Sequence, residues 1–166
     1  MENPLVAQGK YLTLVKDKIL IDACSGVRNF ANSDYFDTVP QGGFSDSMIG
    51  LVTRSKQKQQ PTFQTFGALY RISCPATYLE MYNSFDVWYD KLLFTQHQII
   101  SVCDSNKRFI RDHAGYCTLF LFKNNNQFLI SQIFCNGKTI KTRIDNLWSG
   151  YVWDSKYRLH IIVPMM

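Results

Sequence analysis

A single stretch of helical periodicity lies among segments that are typical of β-strands. Residues 77–93 read TYLEMYNSFDVWYDKLL, and their large apolar side chains recur at three- and four-residue steps, which places them on one face of a helix. Thr77 and Glu80 have the spacing of a capping box, so the helix is predicted to begin there. Its aromatic face needs a sheet to pack against, and this requirement constrains the fold. The predicted core face of the helix consists of Tyr78, Tyr82, Phe85, Trp88 and Leu92.

The segments before and after this helix predict strands. Residues 11–23, YLTLVKDKILIDA, predict an N-terminal hairpin with a tight turn at Lys16, Asp17 and Lys18. The NNN of residues 124–126 separates two apolar runs and predicts a second hairpin turn. The other predicted strands are residues 48–55, 62–74, 98–103, 116–123, 127–134, 138–144 and 157–163.

The order of these elements determines the predicted fold class. Strands and helices do not alternate regularly, which excludes a doubly wound parallel sheet. The pattern predicts a mainly β (α+β) fold, an antiparallel β-sandwich or barrel with one amphipathic helix packed on its flank. The length of 166 residues suits a single domain spanning residues 1–166.

Composition argues against several classes of protein. No apolar run approaches the roughly 18 residues of a membrane span. The N-terminal segment MENPLVAQGK lacks a basic region followed by an apolar one, so we expect no secretory signal and assembly inside a cell. The five cysteines are widely spaced, odd in number and without a CxxC pair, which argues against a disulfide framework and a zinc site.

Recognisable catalytic motifs are also missing from the sequence. The three histidines have no HxxxH or HExxH partner, and there is no glycine-rich phosphate loop. We therefore predict a protein that is not an enzyme and has no catalytic residue, bound metal or cofactor. The remaining enzymatic alternative is a thiol-imidazole pair of Cys103 or Cys117 with His113.

Two features that precede the helix indicate a binding surface. The loop 24–47 has little periodicity, and compact domains seldom contain unstructured loops beyond about 12 to 15 residues unless they bind something. Its apolar anchors are Phe30, Tyr35, Phe36 and Phe44. In residues 53–60, TRSKQKQQ, an extended backbone would place Arg54, Lys56 and Lys58 on one side. The net charge is +5, so these cations indicate either nucleic-acid contact or charge that faces solvent or a neighbouring subunit.

The order of elements and a few local patterns carry a family resemblance. A hairpin, a loop, a basic strand and an aromatic strand lead into a helix that contains Trp88. Trp148 and the run Trp153, Asp154 and Ser155 then precede the last strand. In these respects the chain resembles the tail tube proteins of contractile-tailed bacteriophages, relatives of the tube-forming haemolysin-coregulated proteins of type VI secretion.

The resemblance implies a structural virion protein of the phage tail. Such subunits form hexameric rings that stack into a tube, and DNA passes through its lumen during genome delivery without sequence-specific contact. The sheets of adjacent subunits would join into one barrel, with Asp86 and Asp90 facing a tail sheath or neighbouring tail proteins. The protein would assemble in the host cytoplasm and reside in the virion tail. The implied subunit or ring interface consists of Phe30, Tyr35, Phe36, Phe44, Met48, Arg54, Lys56 and Lys58.

The alternative prediction is a monomeric basic β-module that binds nucleic acid. In this interpretation Arg54, Lys56 and Lys58 neutralise phosphates, while Phe63 and Phe66 stack on bases. The two predictions differ in oligomeric state and in the salt dependence of DNA affinity.

Overall fold

The structure, a computed structural model, describes residues 5, 7, 9–30, 59–110, 117–136 and 139–166. Within these residues the helices are α1 (Tyr78–Asn83) and α2 (Gln96–Ser105), neither of which is long and apolar enough to cross a membrane. Short 3-10 turns lie at Tyr89–Lys91, Lys107–Phe109 and Ser155–Tyr157. The strands are β1 (Leu12–Ile21), β2 (Thr65–Ile72), β3 (Thr118–Asn124), β4 (Gln127–Asn136), β5 (Thr139–Asn146) and β6 (His160–Pro164).

The described strands form one mixed sheet in the order β1-β2-β6-β3-β4-β5. All neighbouring strands are antiparallel except β3 and β6, which run parallel at Thr118 opposite His160 and Leu119 opposite Ile161. The prediction of a mainly β fold is confirmed. The predicted sandwich or barrel is not, because these strands form a single open sheet.

The sheet is covered on both faces, and each face has its own helix. Neighbouring residues of a strand point to opposite faces. Tyr70 and Ile161 accordingly belong to the apolar cluster that includes α1, whereas Leu69 and Ile162 belong to the cluster that includes α2. This double cover explains why β2 and β3 are buried at consecutive positions. The prediction of one flanking helix is therefore corrected to one helix on each face.

The helix predicted over residues 77–93 begins as expected but ends early. Its capping box is present, since the Glu80 N–H donates to Thr77 Oγ1 at 3.3 Å and the Thr77 N–H donates to Glu80 Oε2 at 2.8 Å. The helix ends at Asn83, and Asp86 adopts a left-handed conformation with φ of 52°. A left-handed residue interrupts a right-handed helix. The prediction of a continuous helix to Leu93 is wrong for this reason.

The segment after this turn contains a helix where the sequence predicted a strand. Residues 98–103 lie inside α2, which also begins with a capping box. The Gln98 N–H donates to Thr95 Oγ1 at 3.1 Å, and the Thr95 N–H donates to Gln98 Oε1 at 2.9 Å. The β-branched residues favoured a strand prediction, but the threonine and glutamine three residues apart are a helix-start signal.

The two predicted hairpins have different outcomes. Residues 12–21 form the single strand β1, which pairs with β2 across two register shifts, and Lys18 lies within it at φ of 52°. The predicted turn at Lys16–Lys18 is therefore wrong, because these residues form strand irregularities and do not reverse the chain. The second hairpin is confirmed. Asn125 and Asn126 have φ of 48° and 62° and connect β3 to β4.

The other predicted strands correspond closely to the structure. Residues 62–74, 116–123, 127–134, 138–144 and 157–163 match β2, β3, β4, β5 and β6 in that order. The predicted strand at 48–55 lies outside the described residues.

Candidate interaction surfaces

Of the residues predicted to form a subunit interface, the structure describes only Phe30. Its ring is fully buried and packs edge-to-face on Phe122, with ring centroids 5.5 Å apart. Its N–H donates to Gln96 Oε1 at 2.9 Å. Phe30 therefore belongs to the core beneath α2, and its assignment to an interface is corrected. The remaining predicted interface residues, Tyr35, Phe36, Phe44, Met48, Arg54, Lys56 and Lys58, lie outside the described residues.

The predicted core face of the helix is buried at four of its five positions. Those four are Tyr78, Tyr82, Phe85 and Leu92. Trp88 is 84% exposed, so its assignment to the core is wrong. The left-handed residue Asp86 redirects the chain after α1, which removes Trp88 from the helical face that periodicity assigned to it. Trp88 is therefore a surface residue.

The first candidate surface is the edge strand β1. Among the described strands, β1 has a neighbour on one side only. Three aliphatic side chains on it keep almost half of their surface in solvent, at 45%, 47% and 43% exposure for Leu14, Val15 and Leu20. We call these three residues the edge surface. An edge strand with exposed aliphatic side chains is a template for pairing with another chain.

The second candidate surface is an open pocket of about 570 Å³ at the turn after α1. We call it the Trp88 pocket, and it is lined by Asn83, Asp86, Val87, Trp88 and Tyr89. The Tyr89 hydroxyl donates to Asn83 Oδ1 at 2.5 Å, which fixes one wall of the pocket. The pocket therefore combines an exposed indole with a carboxylate and an amide, the mixture of apolar and oriented polar groups that is typical of binding sites.

Aromatic rings support the Trp88 pocket from behind. The Tyr89 ring packs edge-to-face on Phe128 and on the exposed Trp148, with centroid distances of 5.5 and 6.1 Å. Lys123 lies beside this group, with Nζ 3.2 Å from Asp90 Oδ1 and 4.9 Å from the centroid of the Phe128 ring. Asp90 is thus paired within the subunit, whereas the sequence assigned it with Asp86 to a sheath-facing helix surface.

A polar network joins α1 to strands β4 and β5 on the face of the sheet that α1 covers. Gln132 Nε2 donates to the Tyr78 hydroxyl oxygen at 2.6 Å. Burial raises the pKa of Tyr78, and Asp145 nearby adds to this effect. Burial also raises the pKa of the Asp145 carboxyl, although hydrogen bonds from the Asn146 backbone and from Tyr78 oppose it. These groups satisfy one another inside the fold, so we assign the network a structural role.

The cysteines of the enzymatic alternative lie in apolar surroundings. Burial raises the pKa of both Cys103 and Cys117 to about 12, so each remains a thiol at neutral pH. A nucleophilic cysteine needs the opposite shift. His113, their predicted partner, lies outside the described residues.

His97, the described histidine nearest to Cys103 along the chain, is hydrogen-bonded within the fold. His97 Nδ1 accepts the Gly26 N–H at 3.0 Å, and burial followed by the nearby Arg28 lowers the pKa of its imidazole. Arg28 pairs with Asp104 at 2.6 Å on the same flank of α2. In the part of the chain that the structure describes, no group of three or more His, Cys, Asp or Glu residues is arranged to hold a metal ion.

The sequence did not predict the residues of the edge surface and the Trp88 pocket as surface residues. The sequence predicts Val15 and Leu20 in a hairpin and Trp88 in the core, and it predicts no role for Tyr89. The one sequence signal for the change of chain direction is Asp86. Aspartate is enriched in the left-handed conformation, and Asp86 follows the last helical turn. Comparison with known proteins adds no relative, because no protein-family model, curated protein or solved structure matches the chain.

Proposed function

We propose that this protein is a non-enzymatic structural subunit that assembles with copies of itself through β1. The observation that carries the proposal is the edge surface, three exposed aliphatic side chains on a strand with one described neighbour. Left uncovered, such an edge promotes uncontrolled aggregation, and natural proteins cover or blunt it. A second copy pairing with β1 supplies that cover.

The energy available from this pairing is appreciable. Full burial of an aliphatic side chain contributes about 1.5–3 kcal/mol, so burying the exposed half of Leu14, Val15 and Leu20 contributes about 1 kcal/mol each. One edge thus provides about 3 kcal/mol from apolar area, before any backbone hydrogen bonds along the strand are counted. Several such contacts in a closed ring reinforce one another, because each subunit is held on two sides.

The specific assembly that we propose is a tail tube like that of the bacteriophage family that the sequence resembles. Hexameric rings would stack into a channel for DNA in a phage tail, in contact with a sheath or neighbouring tail proteins, after assembly in the host cytoplasm. The open sheet supports this form in one respect, because a sheet closed within one subunit has no free edge to offer a neighbour. Two parts of the order behind the resemblance also support it, namely the aromatic strand β2 leading into α1 and the run Trp153, Asp154 and Ser155 before β6, whereas residues 12–21 form one strand and Trp88 lies outside α1.

Light scattering after size-exclusion chromatography tests the proposal. The wild-type protein is expected to give a concentration-dependent mass above that of the 19.3 kDa monomer. The double variant Leu14→Lys/Val15→Lys is expected to remain monomeric, because two charges on the edge surface oppose pairing. Gln127→Lys controls for an added charge elsewhere on the surface, since Gln127 is exposed at the start of β4 and distant from β1 in the sheet order. Wild-type protein that is monomeric at every concentration, or a double variant that assembles like the wild type, contradicts the proposal.

One observation favours the nucleic-acid module as a second candidate. Phe63 is 93% exposed just before β2, which suits a base-stacking side chain, whereas Phe66 is partly buried against the core. Binding of labelled single-stranded DNA by a monomer, falling with salt and weakened by Phe63→Ala, would support this candidate. DNA affinity that Phe63→Ala leaves unchanged removes it.

A further inference from the structure

The surface around Tyr89 already holds one cation by a recognisable arrangement. The Lys123 ammonium lies between a carboxylate and an aromatic ring, 3.2 Å from Asp90 Oδ1 and 4.9 Å from the centroid of the Phe128 ring. The ring quadrupole and the carboxylate both attract the cation, so the two contacts reinforce each other. Lys123 comes from the β3–β4 hairpin of the same chain.

The Trp88 pocket presents the same pair of groups without a cation from the described residues. Asp86 and Trp88 both line it, and the indole, whose face binds cations best among the aromatic side chains, is 84% exposed. Among the ion pairs of the described residues, none involves Asp86. The pocket thus offers an aromatic ring and a carboxylate to a cation that the described residues do not supply.

Part of the Trp88 pocket is held in place by contacts within the chain. Asp86 is positioned by a tight turn at φ of 52°, and the neighbouring Tyr89 is held by its hydrogen bond to Asn83 and by its contacts with Phe128 and Trp148. A site that is preorganised in this way loses less conformational entropy on binding.

We propose that the Trp88 pocket binds a lysine or arginine side chain of a second copy of this chain. Charge complementarity carries the choice of occupant. The chain has a net charge of +5, and Arg54, Lys56 and Lys58 place three cations within five residues, at alternate positions in TRSKQKQQ. That the cation comes from a second copy rests on the proposed self-assembly, while the cation site itself rests on the pocket.

A peptide titration of the full-length protein tests the inference. The probe is a synthetic peptide of residues 53–60, TRSKQKQQ, followed through the indole N–H resonance of Trp88 by NMR. Asp86→Asn and Trp88→Ala are each expected to weaken binding about two- to fivefold, as for an exposed cation–π contact. For Trp88→Ala, binding is followed by fluorescence anisotropy of a labelled peptide. Asparagine tolerates the left-handed conformation, so Asp86→Asn keeps the turn.

Two controls separate this site from general charge attraction. Asp17→Asn removes an exposed carboxylate on β1, at the opposite side of the sheet order, and is expected to leave peptide affinity unchanged. A control peptide with glutamine in place of Arg54, Lys56 and Lys58 is expected not to bind. No binding of the basic peptide, equal binding of the control peptide, or an equal loss from Asp17→Asn overturns the inference.

The source of the cation is decided in the full chain. If the triple variant Arg54→Gln/Lys56→Gln/Lys58→Gln shifts the Trp88 indole resonance in a dilute monomer, the segment binds within its own chain and the second-copy assignment is overturned. The outcome is separable from that of the proposed function. Selective peptide binding by a protein that never assembles contradicts the self-assembly and the second-copy source of the cation, but leaves the cation site in place. Assembly that depends on Leu14 and Val15 without peptide binding contradicts only the pocket.

Discussion

Alanine substitutions at Phe85 and Trp88 distinguish the observed turn after α1 from the continuous helix that periodicity predicts over residues 77–93. A continuous helix over residues 77–93 places both rings on one core face, so alanine at either position would be equally damaging. In the structure Phe85 is buried and packs edge-to-face on Tyr70 with a centroid distance of 5.0 Å, whereas Trp88 is 84% exposed. The two substitutions should therefore differ widely in cost.

The magnitudes follow from burial. Removing a buried phenylalanine ring costs about 3–5 kcal/mol, which includes the cavity it leaves. Removing an exposed side chain away from such features changes stability by about 0.5 kcal/mol or less. In a domain of this size about 1 kcal/mol corresponds to roughly 2–4 °C, so we expect Phe85→Ala to lower Tm by roughly 6–20 °C and Trp88→Ala to lower it by about 2 °C or less.

Urea denaturation monitored by far-UV circular dichroism measures the loss in free energy of unfolding for both variants. The slope of unfolding free energy against urea should be the same for wild type and Trp88→Ala, which confirms that the unfolding reaction is unchanged. A Trp88→Ala variant that loses as much stability as Phe85→Ala would refute the turn at Asp86 and restore the continuous helix.

Three further predictions concern the start of α2, the polar network of Asp145 beneath α1, and the cysteines. Thr95→Ala removes the cap of α2 and should lower the free energy of unfolding by about 1 kcal/mol in urea titration, and no loss would contradict the capping box. Burial raises the pKa of Asp145 above its unfolded value, so its contribution to stability is fully present below the unfolded pKa and is lost as pH rises through the folded pKa. Asp145→Asn should therefore gain stability relative to wild type in urea titrations as pH rises above the unfolded pKa of about 3.9, and a constant difference would argue against a desolvated carboxyl. Cys103 and Cys117 should resist a thiol reagent at pH 8 in folded protein and react in denaturant, since burial raises their pKa to about 12, and rapid labelling of the folded form would contradict this burial.

Local signals with a defined chemical basis predicted much of the fold. The asparagines at 124–126 indicated the β3–β4 hairpin because asparagine tolerates positive φ, and Asn125 and Asn126 adopt it. The Thr77 and Glu80 spacing indicated the start of α1 because the two residues satisfy each other's free backbone N–H groups. In both cases the residues that gave the signal make the interaction.

The errors arise where tertiary packing overrides local preference. Ile99, Ile100 and Val102 favour strands, yet they are buried in α2 against the second face of the sheet. Periodicity predicts a helix that continues past Asn83, whereas the left-handed residue Asp86 redirects the chain and leaves Trp88 outside the predicted core face. The candidate surfaces could not be predicted for the same reason. Exposure of Val15, Leu20 and Trp88 depends on where the sheet ends and where the chain turns.

Negative-stain electron microscopy of the concentrated wild-type protein tests the central claim most directly. Self-assembly through the β1 edge predicts rings or stacked tubes in the absence of nucleic acid, and their loss in the Leu14→Lys/Val15→Lys variant. Compact monomers at every protein and salt concentration would contradict the claim.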